Sequence, residues 1–133
     1  MATIKSYTSL EQSKVLAKIL PLESADMWYH GHYSPWELER KYDNEPCPFH
    51  SMSPNWDKPC WSLAALYSIL PNTKKETTTL SRGGWRIDPI EYLDNWWCEY
   101  EDDNHAKDFT VSADNPVDVC YKMIIRLNEL NLL

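Results

Sequence analysis

Hydrophobic residues recur at helical spacing in three stretches of this chain, and the first stretch lies near the start of the sequence. Within "YTSLEQSKVLAKILP", the apolar residues that fall mostly on one helical face are Leu10, Leu16, Ala17, Ile19 and Leu20. Two overlapping capping boxes precede them, Thr8 with Glu11 and Ser9 with Gln12. A proline follows and cannot continue the helix. The pattern predicts a first helix over residues 9–20.

The second stretch, "PCWSLAALYSILP" at residues 59–71, is apolar on nearly every side. One helical stripe holds Leu63, Leu66, Tyr67 and Leu70, and most of the remaining surface belongs to Trp61, Ala65 and Ile69. A helix that is apolar nearly all round is buried on more than one side. Because burying each large side chain contributes roughly 1.5–3 kcal/mol, we expect this helix to hold most of the core energy and no active site.

The third stretch closes the sequence with "ADNPVDVCYKMIIRLNELNLL". Asn115 is placed to cap a helix, Pro116 takes its first position, and Asp118 sits in the positively charged first turn. The residues predicted to form the buried face are Val117, Cys120, Tyr121, Ile124 and Leu127. The capping signals and the periodicity agree, so a C-terminal helix is predicted.

Strand-like alternation marks other segments. "SADMWYHGHY" reads as an aromatic strand that Gly31 weakens, and a short helix is predicted from Ser34 to about Tyr42. Further strands are predicted in "ETTTLSR", "WRIDPI", "LDNWWCEYE" and "FTVS", with a hairpin turn at Gly83-Gly84. The alternation in "LDNWWCEYE" assigns to one face Trp96, Cys98 and Tyr100, and to the other Trp97 and Glu99.

The regular pattern stops between residues 43 and 59. This segment holds four of the nine prolines, so we expect neither a helix nor a central strand to run through it. Irregular segments of this length are uncommon in compact domains and are often functional. Since no repeat or linker divides the sequence, it predicts one α+β domain over residues 1–133, with about three helices packed on a small antiparallel sheet.

Three of these motifs are also similar to motifs of a known protein family. "LPLESADM", "PCWSLAALYSILP" and "ADNPVDVCYKMIIRLNELNLL", taken in this order, resemble a family of small uncharacterised proteins of gut bacteria of the Bacteroides type and of their phages and integrated elements. The resemblance implies the same order of helices and strands and a mobile-element setting. It brings no activity, cofactor or catalytic residue with it.

Composition and charge narrow the classes of function. The chain has 133 residues, of which 43% are hydrophobic and 25% charged, and it contains seven Trp and eight Tyr. A net charge of −7 argues against binding to nucleic-acid phosphates or to an anionic membrane, and it suits a basic partner. The N-terminal stretch lacks the apolar run of a signal peptide. We therefore expect a cytoplasmic protein with four reduced cysteines.

Two groups of residues have the chemistry of metal ligands. Cys47 and His50 in "CPFH", with Cys60 ten residues on, are ligand types that zinc uses, and His30 or His32 could supply a fourth. A proline-flanked loop with a buried cysteine explains the same spacing without a metal. In "HGH", His30 and His32 fall on the same side of a strand, where two imidazoles could share a metal or simply face water.

The acidic segment "EYEDDNHAKD", which includes residues 99–103, supports two interpretations. The simpler one is a solvated turn at the end of a strand. The other is an acidic patch that inhibits a nucleic-acid-binding protein by mimicking DNA phosphates.

The leading functional prediction is a non-enzymatic interaction protein of phage or mobile-element origin that binds another protein and needs no cofactor. Exposed aromatics in and beside the irregular segment are typical of interaction hot spots, and the candidates are Trp36, Phe49 and Trp56. The alternatives are a small zinc protein or enzyme built on Cys47, His50 and Cys60, and the acidic inhibitor.

Overall fold

The predicted α+β class is confirmed in a computed structural model, which describes residues 5–32, 41–48, 53, 56–82, 96–105 and 108–133. These residues contain three α-helices, one 3-10 turn and three small antiparallel sheets. The chain forms two compact units, one comprising Tyr7–Ala65 and the other Met1–Ser6 with Leu66–Leu133.

The unit Tyr7–Ala65 consists of short elements. In chain order these are α1 (Leu10–Leu16), a 3-10 turn (Leu22–Ser24), β1 (Met27–Tyr29), β2 (Gly31–His32), β3 (Lys41–Tyr42) and β4 (Lys58–Cys60). Strand β1 pairs antiparallel with β4, and β2 pairs antiparallel with β3. Cys47 adds an isolated bridge to Trp28 in β1.

Helix α1 uses only one of the two predicted capping boxes. Ser9 is the N-cap: its hydroxyl accepts from the Gln12 amide at 3.2 Å, while the Gln12 side chain accepts from the Ser9 amide at 3.0 Å. The helix ends at Leu16, four residues before the predicted end. The next residues continue in a tighter turn, because the Lys18 and Ile19 amides donate to carbonyls three residues back.

Thr8, which the sequence offered as a second cap, is instead a fully buried hydrogen-bonding centre. Its amide donates to the Trp61 carbonyl at 2.9 Å, and its hydroxyl accepts from the Trp61 amide at 3.1 Å. Its carbonyl accepts from the Tyr29 hydroxyl at 2.7 Å and from the Cys60 thiol at 3.4 Å. The hydroxyl also pairs with Ser13 of α1 at 2.8 Å. One residue thus joins α1, β1 and the end of β4.

Two predictions about this unit are wrong in part. The short helix cannot end at Tyr42, because Lys41–Tyr42 is strand β3, held against β2; residues 33–40 lie outside the described part. Pro59 does not belong to an irregular loop but lies in β4 opposite Trp28. The proline is tolerated there because the Trp28 amide and carbonyl both bond to Cys47, at 3.1 and 2.7 Å, so no ladder bond to Pro59 is needed.

Helix α2 (Leu63–Ile69) is shorter than the apolar stretch that predicts it. Ser62 caps it, since its hydroxyl accepts from the Ala65 amide at 3.2 Å, and Asp26 bonds to both the amide and the hydroxyl of Ser62. Leu66 is fully buried, as predicted, whereas Tyr67 is 44% exposed. The prediction of burial nearly all round is therefore wrong on the side of Tyr67.

The second unit is a three-stranded sheet with a helix. Strands β5 (Glu76–Arg82), β6 (Trp96–Asp102) and β7 (Phe109–Ala113) are antiparallel in that order. The predicted alternation in β6 is confirmed, since Cys98 and Tyr100 are buried and Glu99 is exposed. The predicted turn at Gly83-Gly84 and the strand "WRIDPI" lie outside the described residues.

Helix α3 (Pro116–Glu129) packs on β6 and β7. As predicted, Asn115 caps it, with its side-chain oxygen accepting from the Asp118 amide at 2.8 Å. Beyond the end of the helix, Asn131 adopts a left-handed conformation with φ 57°, and the Leu132 amide donates back to the Leu127 carbonyl at 2.8 Å. The buried face consists of Pro116, Val117, Val119, Cys120, Met123, Ile124 and Leu127.

The hydrogen bonds of Thr8 predict that two conservative substitutions at this position lower the free energy of unfolding by different amounts. Thr8→Val keeps the shape but leaves the Trp61 amide and the Ser13 hydroxyl without this partner, so we expect a loss of about 2–3 kcal/mol in the free energy of unfolding. Thr8→Ser keeps the hydroxyl and should cost less, about 1 kcal/mol for the lost methyl group. Urea denaturation of both variants measures the difference, and equal losses would contradict the role of the hydroxyl.

The burial pattern of α2 predicts a second contrast between neighbouring residues. Leu66→Ala should lower the free energy of unfolding by about 2–5 kcal/mol, because it opens a cavity in the core. Tyr67→Ala, on the exposed side, should change it by less than about 1 kcal/mol. Both values come from chemical denaturation monitored by circular dichroism. A small effect at Leu66 would show that this position is not part of the core.

Candidate functional site

Two histidines that flank Gly31 form the most distinctive polar cluster in the unit Tyr7–Ala65. His30 directly precedes β2 and His32 ends it, so the period of a strand places both side chains on one side. Their ring centres are 4.9 Å apart, and the ring planes are nearly perpendicular at 89°. Each side chain is 54% exposed. The two imidazoles therefore touch each other at a surface that solvent reaches.

A buried carboxylate orients the first histidine. Asp57, which directly precedes β4, is only 7% exposed. One of its oxygens accepts from Nδ1 of His30 at 3.0 Å and from the Gly31 amide at 3.2 Å. The other oxygen accepts from the Ser53 amide at 2.9 Å. Burial alone would raise the pKa of Asp57, but these bonds from Ser53, Gly31 and His30 outweigh it and hold the pKa below its ordinary value.

A second carboxylate bonds to the other ring. Nε2 of His32 lies 2.5 Å from the Asp43 carboxylate, which directly follows β3. Since an ionised carboxylate can only accept, both imidazoles donate an N–H to an aspartate. In a neutral imidazole the other ring nitrogen then carries the lone pair, which is Nε2 in His30 and Nδ1 in His32. An imidazole oriented in this way can accept a proton or coordinate a metal.

The structure places the predicted zinc ligands in different surroundings. Cys60 is fully buried, and its thiol bonds to Thr8. Burial raises the pKa of that thiol, although bonds from Thr8, Ser13 and Tyr29 oppose the shift. A protonated core thiol is a poor zinc ligand, because zinc binds the thiolate. Cys47 is half-buried, and His50 lies outside the described residues. The zinc site at Cys47, His50 and Cys60 stays a prediction.

The remaining cysteines show no sign of reactivity. Cys98 and Cys120 are fully buried, and burial raises the pKa of each thiol to about 12. Buried thiols of this kind are inert. All four cysteines are free.

Of the three aromatic residues predicted to bind a partner, the structure describes one. Trp56 is 47% exposed. Its amide donates to the Ser53 carbonyl at 3.1 Å, and the following Asp57 amide donates to the same carbonyl at 2.9 Å. Trp36 and Phe49 lie outside the described residues. The turn that carries Trp56 is therefore the same one that Asp57 fixes beside His30.

Hydrogen bonds link the described residues of the acidic segment between β6 and β7. The carboxylate of Asp108 accepts from the Asp102 amide at 3.0 Å and from Nδ1 of His105 at 2.7 Å. The bond to Asp108 raises the pKa of His105. Glu99 and Glu101 project from the exposed face of β6. These local bonds fit the solvated-turn interpretation, and the DNA-mimic hypothesis stays a prediction.

A sequence motif indicates the two histidines, but no motif indicates their carboxylate partners. "HGH" is visible as a pair with strand spacing, whereas Asp43 and Asp57 are 11 and 27 residues away from their partners. Both aspartates lie in or beside the proline-rich segment, where no periodicity indicates which side chains point inward. Only the pairing of β1 with β4 and of β2 with β3 brings them to the histidines.

In comparisons with known proteins, no family model matches this chain, and no curated protein or solved structure matches it. None of the helices in the described part of the chain has the length and apolar character that crossing a bilayer requires.

The lowered pKa of Asp57 predicts an acid-dependent loss of stability. Because the folded state holds this pKa below the ordinary 3.8, the stabilisation is complete above that pH and is lost as the pH falls through the folded value. Asp57→Asn should cost about 2 kcal/mol at neutral pH and should flatten the decline below pH 4. Urea denaturation between about pH 2 and 7 tests this.

Asp43→Asn is the matched control, since it removes a half-exposed carboxylate from the neighbouring histidine. It should change the free energy of unfolding by less than about 1 kcal/mol. If the wild type and Asp57→Asn lose stability with the same slope below pH 4, the buried carboxylate does not have the role assigned to it.

Proposed function

We propose that this chain is a non-enzymatic interaction protein that binds another protein through the surface around Trp56. The observation that carries the proposal is a large aromatic side chain presented by a fixed turn. Trp56 is 47% exposed, yet its amide and the next one are both bonded to the Ser53 carbonyl. Tryptophan is among the residues most enriched in interaction hot spots.

The hydrogen bonds that anchor this turn support a role for Trp56 in binding a partner. Asp57 accepts from the Ser53 amide at one end of the turn and from the Gly31 amide in β2. The backbone of Ser53, Trp56 and Asp57 is thereby held in place when the chain folds, and the entropy of these residues is not lost again when a partner binds. A preorganised aromatic surface binds more tightly than the same side chain on an unordered loop.

The net charge of the chain and its resemblance to a family of small proteins indicate the kind of partner that we propose. With a net charge of −7, the chain suits a protein with a basic surface, because complementary charge speeds association and excludes acidic competitors. The resemblance to small proteins of Bacteroides-type bacteria and their phages supports an accessory role encoded on a mobile element. An accessory role needs no catalytic constellation.

The proposal predicts that Trp56 matters for binding and not for folding. Trp56→Ala should leave the melting temperature within about 2 °C of the wild type, because an exposed side chain contributes little to stability. The same variant should lose the protein partner that co-purifies with the wild type from the native host. Quantitative mass spectrometry of affinity-purified samples measures this loss.

Tyr67→Ala serves as the control, since Tyr67 is an aromatic of similar exposure in helix α2. It should retain the partner at the wild-type level. A large drop in melting temperature for Trp56→Ala would assign Trp56 to the core, and equal recovery of the partner by both variants would refute the binding surface.

A further inference from the structure

His30 and His32 are exposed, yet both rings are oriented by hydrogen bonds to carboxylates. Each ring gives one nitrogen to an aspartate, and the rings lie edge to face with centres 4.9 Å apart. We propose that His30 and His32 together bind a divalent transition-metal ion, such as Zn²⁺ or Ni²⁺, through Nε2 of His30 and Nδ1 of His32.

The separation of the rings fits a shared ion. Zinc–nitrogen bonds are about 2.0–2.1 Å long, and a tetrahedral shell therefore holds the centres of two coordinated imidazoles roughly 5 Å apart. The centres of His30 and His32 are already 4.9 Å apart before any ion binds. His30 and His32 lie on either side of Gly31, so both rings come within reach of a common ion once one of them turns from the edge-to-face arrangement.

The aspartates supply the second feature of a metal site. Histidines that bind metals almost always donate their other ring N–H to a carboxylate, a carbonyl or water, which fixes the tautomer and makes the coordinating nitrogen more basic. Asp57 and Asp43 do this for His30 and His32 respectively. Asp57 is itself held by two backbone amides, so the orientation of His30 is rigidly defined.

The class of ion follows from the donors and their exposure. Imidazole nitrogens suit zinc, nickel and copper, whereas calcium and magnesium prefer oxygen. Within the described ranges no group of three or more His, Cys, Asp or Glu residues is arranged to hold a metal. In this proposal the two imidazoles are the protein ligands, and water fills the other positions of the coordination shell.

His105 provides an internal control for the His30/His32 pair. His105 also donates Nδ1 to a carboxylate, that of Asp108 at 2.7 Å, and it is exposed. It has no second imidazole beside it among the described residues. If an oriented single histidine were enough for binding, His105 would bind as well as His30 does.

The test is isothermal titration of the full chain with ZnCl₂ and with NiCl₂ under reducing conditions, near neutral pH. We expect saturable binding of one ion per chain. His30→Gln and His32→Gln should each weaken the affinity at least about tenfold, because each leaves a single imidazole. His105→Gln should bind like the wild type. Nitrogen-15 spectra should show zinc-dependent shifts at Nε2 of His30 and Nδ1 of His32.

His50→Gln and Cys47→Ser complete the series, because they separate this site from the zinc site predicted in the sequence. Both should retain binding within about threefold, and circular dichroism establishes that all variants fold. The proposal is overturned if the wild type shows no saturable binding. It is also overturned if only His50→Gln, Cys47→Ser or His105→Gln abolishes binding.

Discussion

The unit Tyr7–Ala65 depends on the buried residue Thr8. Its amide, carbonyl and hydroxyl are all bonded, chiefly to Trp61, Tyr29 and Cys60. These bonds determine where the end of β4 lies relative to β1 and to the start of α1. The pairing of β1 with β4 in turn places Asp57, the residue before β4, next to Gly31. The orientation of His30 is therefore a consequence of a hydrogen-bonded core that contains neither histidine.

Asp57 couples the two surface features that carry the functional proposals. A buried carboxylate is costly unless several donors satisfy it, and here Ser53, Gly31 and His30 do so. The bond to Ser53 fixes the turn that presents Trp56, and the bond to His30 fixes a ring in the imidazole pair. In the two proposals, a protein partner would contact the side chain of Trp56, whereas an ion would bind the free ring nitrogens of His30 and His32.

The sequence predicts those parts of the structure that depend on neighbouring residues. The Ser9–Gln12 box, the Asn115-Pro116 start of α3 and the alternation in β6 all involve residues within four positions of each other, and all three are present. The sequence fails where distant residues decide the outcome. The role of Thr8 depends on residues 21 and 53 positions away. Pro59 lies in a strand because Trp28 bonds to Cys47 on its other side.

The hydrogen-bonded core also limits what a metal ion could do in this protein. In a structural zinc site the ligands are core residues, and the fold fails without the ion. Here the buried candidate ligand, Cys60, already has hydrogen-bonding partners in Thr8, and its thiol is protonated. The exposed imidazoles lie outside that core. An ion bound by His30 and His32 would therefore not be required for folding, although it would stabilise the folded state by mass action, and it would change the charge of the surface around the two rings.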